Sequence, residues 1–200
     1  MKYTLITLSV LSLAACIIGC HSNVTSLTVP LEYRPTDEGA GGGLTLPPAK
    51  IYVADVDDQR SNTQQIGENR EDKPIPVFPG DVSPTKFVRD ALIEEFRNDG
   101  MNVVDSPDDA DRIVNVSILK FFVTEMNTYD AEVTLKAKIT DKSGNVVAAE
   151  IIGRGDDSTF GRSLSPDNYV QVLSNATAKA INYLVSKPDF VKALSTGTGE

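Results

Sequence analysis

Residues 129–141, YDAEVTLKAKITD, alternate without a break. Ala131, Val133, Leu135, Ala137 and Ile139 fall on one side, and Glu132, Thr134, Lys136, Lys138 and Thr140 on the other. A two-residue apolar period marks a strand with one face on a core and the other in water. The stretch before it, Arg112 to Thr124, sets Val114, Val116 and Ile118 against Asn115 and Ser117 and predicts a second strand. DKSGN reads as a hairpin turn with its glycine where a positive φ is needed. VVAAEIIGRG then returns as a third strand. Three consecutive strands joined by short turns make an antiparallel meander.

Two other stretches carry a helical period. In the first, Ser83 is placed to cap and Pro84 sits at N1, where its missing N–H costs nothing. Phe87, Val88, Ala91, Leu92 and Phe96 form one stripe, with Arg89, Asp90, Glu94 and Glu95 largely outside it. Gly100 closes the helix in the left-handed region, and MNVV follows as a short strand. In the second, Ser165 and Pro166 repeat the Ser-Pro start. Tyr169, Val172, Leu173, Ala176, Ala180 and Leu184 recur at helical spacing, and Pro188 lies just past the end.

KIYVADV, beginning at Lys50, is apolar on both faces and predicts a central strand covered on both sides. The polar run from Asp57 to Val82 reads as a long connection, a kind that often carries function. Its Asp58, Gln59, Arg60 and Arg70 are the candidate ligand or partner residues, suited to an anionic or amide-rich group such as a peptidoglycan fragment; the competing reading is a solvated loop. The fold expected is α+β. It has a mostly antiparallel sheet, the meander plus one or two further strands, with two amphipathic helices on one face.

Residues 20–48 contrast with this pattern. Rich in Pro and Gly, they read as an extended spacer, although Leu27, Val29, Leu31 and Tyr33 alternate, as a short edge strand would. GAGGG lacks the Gly-Lys-Ser/Thr ending of a phosphate loop. The division expected is a signal at 1–19 (or 1–15), a spacer at 20–48, one domain at 49–190 and a flexible tail at 191–200.

Composition narrows the chemistry. The chain has 200 residues, a net charge of −9, one histidine and two cysteines. An acidic balance argues against nucleic acid, whose binding rests on Lys and Arg neutralising phosphates. Both cysteines lie in SLAACIIGC, at the end of an apolar run that follows Met1-Lys2. That run is built like a secretory signal and is too short to span a bilayer. Leu13–Cys16 (LAAC) and Ile17–Cys20 (IIGC) each resemble a bacterial lipobox, in which the cysteine is acylated and becomes the new N-terminus. Cys20 is the preferred attachment residue because it leaves the polar start CHSNVTS; Cys16 is the alternative. Each buried methylene contributes about 0.8 kcal/mol, so two or three acyl (palmitate-type) chains hold a protein on a membrane. No Asp follows either cysteine, which favours the outer membrane over the inner.

His21 lies in the spacer, so histidine-dependent catalysis is not expected. Two cysteines and one histidine do not make a zinc site, and no cofactor or metal is implied. The remaining candidates are carboxylates: Asp55, Asp57 and Asp58; Asp108, Asp109 and Asp111; Asp156 and Asp157. A hydrolase acting on cell-wall material could use two of them, and solvated turns are the competing reading. Phe121, Phe122 and Val123 with Met126 are either core or an apolar interface.

Lipobox, SLTVPLEYRP, IYVADVDDQR followed by IG, FVRDALIEEFRNDGMNVV, ADRIVNVSI, and a closing helix after FGRSLSPDNY together resemble the YajG family of small bacterial lipoproteins. The resemblance spans nearly the whole chain beyond the signal. It implies an envelope lipoprotein with an α+β domain and no assigned activity. The expected partners are the membrane, through the anchor, and an envelope protein or peptidoglycan. The role expected is non-catalytic binding or assembly, with a structural subunit of an envelope complex as the alternative.

Overall fold

The computed structural model describes residues 24–35 and 49–195. One strand organises everything. β7 (Arg112–Glu125) pairs along one edge with β8 (Tyr129–Asp141) over their full lengths, and β8 pairs with β9 (Val146–Thr159), all antiparallel. The meander is as expected. The Asp141–Asn145 turn closes it, with Gly144 at φ 85°. Asp141 accepts from the backbone N–H groups of Ser143 and Asn145 and from the Asn145 side chain, at 2.8–2.9 Å. These bonds, the Asn145 side chain foremost, hold its carboxyl below the usual range.

Along the other edge of β7 three short strands lie end to end, all parallel to it. They are β2 (Lys50–Val53), β3 (Asp57–Asp58) and β4 (Gly67–Asn69). β5 (Ile75–Pro79) pairs antiparallel with β4, and β1 (Leu27–Val29) pairs parallel with β5. β6 (Asn102–Val103) flanks β2. The α+β class stands, but among the described residues the sheet has nine strands and most of its separate pairings are parallel.

Three expectations need correcting. The polar run from Asp57 is not one loop, because β3, β4 and β5 are drawn from it onto the open edges of β7 and β4. KIYV is covered on one side only: Ile51 and Val53 are buried while Tyr52 is half-buried. The domain starts before residue 49. Val29 and Leu31 are buried in the common core, and Pro30 follows a strand that sits at the sheet edge, where a missing N–H is tolerated.

α1 (Pro84–Asn98) begins as the sequence predicts. Ser83 Oγ accepts from the Lys86 N–H at 3.2 Å, and Gly100 has φ 81°. α2 (Pro166–Val185) starts at Ser-Pro too, but the Ser165 side chain makes no cap bond. Its backbone N–H goes to Tyr129 Oη instead, at 3.0 Å. Pro188 does not end the helical region. It opens α3 (Pro188–Ser195), whose Phe190, Ala193 and Leu194 are buried, so residues 191–195 belong to the domain. The buried Arg112 Nε donates to the Ala193 carbonyl at 2.9 Å, a cation at a helix C-terminus.

The helices cover one face of the sheet. Phe121 meets Phe87 of α1 at 5.5 Å, and Tyr129 meets Tyr169 of α2 at 5.0 Å, both edge to face. α2 lies so close to β9 that a Cβ at Gly155 would stand 2.0 Å from the Ala176 carbonyl oxygen. Phe121 and Val123 are core, Phe122 faces the uncovered side, and Met126 is half exposed. No described helix is long and apolar enough to cross a membrane.

Candidate functional site

Asp58, Gln59 and Arg60 sit where β3 leaves β7. Arg60 is nearly buried, and every guanidinium N–H is engaged. Nε and Nη2 fork onto the Asp58 carboxylate at 2.9 and 2.7 Å, Nη1 donates to the carbonyls of Gln65 and Phe121 at 2.9 and 3.2 Å, and Nη2 donates to Thr63 at 2.8 Å. The fixed fork of arginine suits this task and a lysine would not. Arg60 thus closes the loop of residues 59–65 onto the sheet and has no donor left for a ligand. Gln59 is exposed and accepts from Lys136 Nζ at 2.9 Å. Arg70 lies beyond β4, pairs with Glu68 at 2.5 Å, and is half exposed. The fold therefore joins Asp58 to Arg60 but separates Arg70 from both.

A different group of polar residues converges at the far end of β7. A register shift at Leu119 turns the strand so that Phe121, Val123 and Glu125 all point inward. Glu125 is the last of them and is 1% exposed. Its Oε2 accepts from Tyr169 Oη at 2.6 Å and its Oε1 from the Leu164 N–H at 2.8 Å. Burial alone would push this carboxyl up; the bonds from Tyr169 and the Leu164 N–H, with the Asn69 amide beside them, outweigh it and hold it below the usual range. Burial raises the Tyr169 and Tyr129 hydroxyls, so both stay protonated at neutral pH. Tyr129 Oη donates in turn to the Arg162 carbonyl.

Leu164 reaches Glu125 only by taking φ 54°, a left-handed position that costs a non-glycine residue about 1 kcal/mol or more. Beside it Asn69 Nδ2 donates to Ser163 Oγ at 3.2 Å, and Ser163 donates to Glu71 at 2.7 Å. These residues, with Val24 and Thr25, line an open cleft of about 780 Å³. The Glu125 carboxylate acts here as a fixed anion that organises the cleft wall. The strand period carries Glu125 inward only if the Leu119 irregularity is known, which is why alternation read from Val114 does not find it.

The other carboxylates are dispersed. Asp55 is fully exposed and lies 3.6 Å from Arg89. Asp108 and Asp109 form a 3-10 turn, and Asp111 accepts from the Lys50 N–H at 2.9 Å. Asp157 is held by Lys179 and Asn175 at 2.6 and 2.8 Å, while Asp156 faces the opposite side of β9. No group of three or more His, Cys, Asp and Glu among the described residues could hold a metal ion. Cys16 and Cys20 lie outside the described residues.

No protein-family model and no curated protein sequence matches the chain. The fold does match solved structures. A DUF330-family protein from Xanthomonas campestris superposes with a TM-score of 0.53 at 13% identity, covering 84% of this chain and 96% of that one. PelC from Paraburkholderia phytofirmans, a dodecamer in its structure, gives 0.40 at 17% identity over 74% and 96%. A lipoprotein from Neisseria meningitidis gives 0.32 at 12% over 59% and 84%. At these identities the likeness is one of fold, and the first of the three carries it.

Proposed function

We propose that this chain is a lipid-anchored cell-envelope protein of the YajG-like kind. Its α+β domain would be a non-catalytic binding or assembly module, held at the outer membrane and facing the periplasm. The observation that carries this reading is a distance along the chain. The second lipobox-like stretch ends at Cys20, and Val24, four residues on, already lines the cleft beside Glu125. Four extended residues reach at most about 14 Å. An acyl group on Cys20 would therefore hold the Val24 end of the cleft close to the bilayer surface, with Glu71, Asp72 and Lys73 at its mouth for a polar partner.

Mass spectrometry of the purified mature N-terminus tests the anchor. A diacylated or triacylated Cys20 is expected, and C20S should leave the membrane fraction. An unacylated N-terminus, or a C20S protein that stays acylated at Cys16, would overturn Cys20 as the attachment point; the first result would also remove the anchor. A second reading, a structural subunit of an oligomeric envelope complex, is favoured by the long β9 strand, which among the described residues pairs only with β8.

A further inference from the structure

β9 is the outermost strand of the meander. Among the described residues nothing pairs with its outer edge. Unpaired strand edges are templates for another strand, and proteins usually blunt them. Here the irregularities lie near the start, where Glu150 takes φ 57° and the register shifts twice. From Ile151 to Thr159 the ladder is regular.

Two charges stand on this stretch. Arg154 and Asp156 are both exposed, Arg154 beside Tyr183, and neither makes an ion pair with a described residue. Asp156 is also directly opposite Glu132 on β8, a like charge that Lys120 Nζ already pairs at 2.5 Å.

We infer that β9 is a self-association edge, and that its occupant is β9 of a second copy, antiparallel, with the two-fold axis at Gly155. An isologous pairing of this kind makes residue i of one copy meet residue j of the other, and j meet i. In this register Arg154 lies across from the partner's Asp156, and Asp156 across from the partner's Arg154. The two unpaired charges become two cross-strand ion pairs. The rest of the register is also compatible. Ile152 faces the partner's Ser158, Ile151 the partner's Thr159, and Gly153 the partner's Asp157, so each large side chain meets a smaller one. α2 rests directly on the inner side of this stretch at Gly153 and Gly155, and Tyr183, 46% exposed, borders the edge. This pairing deepens the structural-subunit reading and rests on it, and it is independent of the anchor.

Sedimentation equilibrium of the full-length protein in detergent tests it. The wild type is expected to dimerise. R154D places two acids across from each other at both ends of the contact and should weaken the dimer about tenfold or more. The swap R154D/D156R restores opposite charges and should recover most of that loss. Circular dichroism of both variants checks that these exposed changes leave the fold intact. A wild type that stays monomeric, an R154D that dimerises as well as wild type, or a swap that recovers nothing would each overturn the β9 pairing. A crosslinked pull-down from intact envelopes separates the two levels. A stable hetero-complex with a monomeric wild type would leave the structural-subunit reading standing and remove only this contact.

Discussion

The two edges of β7 are built in opposite ways. On one, β8 and then β9 add long antiparallel ladders in which each residue is held by its neighbours. On the other, β2, β3 and β4 contribute two or three paired residues each, too few to hold a loop-rich segment by backbone bonds alone. Side chains supply the difference. Arg60 ties the turn after β3 to the Phe121 carbonyl, and Glu125 draws Leu164 onto the end of β7. A regular sheet can thus be written in periodicity, whereas its irregular edge is written in a few buried polar contacts.

Substitutions can break this contrast. R60A should be the most damaging change on the short-strand edge. It leaves Asp58 and three carbonyls without their donor, and loss of one partner of a buried pair costs about 3–5 kcal/mol. R60K should recover little of it, as chemical denaturation would show. On the meander edge the largest effect should come from packing. G155A drives a Cβ into the backbone of α2 and should cost about 3 kcal/mol. G144A, with open space around it but a left-handed φ, should cost only about 1 kcal/mol.

Y169F should cost about 2 kcal/mol, because it removes a hydrogen bond to a charged group. A pH series then isolates Glu125. Its folded-state pKa lies below the unfolded value, so its contribution is present above about pH 4.3 and fades as pH falls through the folded value. The stability difference between wild type and E125Q should therefore shrink on acidification. A constant difference down to acid pH would mean that Glu125 is not held as an anion. Asp141 shifts the same way in both proteins, so the comparison cancels it.

Sequence pattern reveals the two edges unequally for the same reason. The alternation in residues 129–141, the Ser-Pro starts of α1 and α2, and the glycine of the 141–145 turn are local signals, and the structure follows them. β3 and β4 have no periodicity of their own, because they become strands only when β7 offers them a free edge. Leu27, Val29, Leu31 and Tyr33 did alternate, but the glycines and prolines around them pointed to a spacer. Burial of Val29 and Leu31 in the common core and packing of Tyr33 against Phe87 depend on contacts far away in sequence. Arg60 stands out as a charge in a polar run, yet three of the five bonds that give it a structural task go to carbonyls no motif encodes. Glu125 was hidden by one register shift.

Amide hydrogen exchange of the full-length protein measures the contrast most directly. Amides in the β7–β8 and β8–β9 ladders should be the slowest to exchange, and those of β3 and β4 should open locally at a lower free energy, about tenfold faster or more. Exchange that is equally slow on both sides, or slower in β3 and β4 than in β8, would contradict the division of β7 into a ladder-held edge and an edge held by side chains.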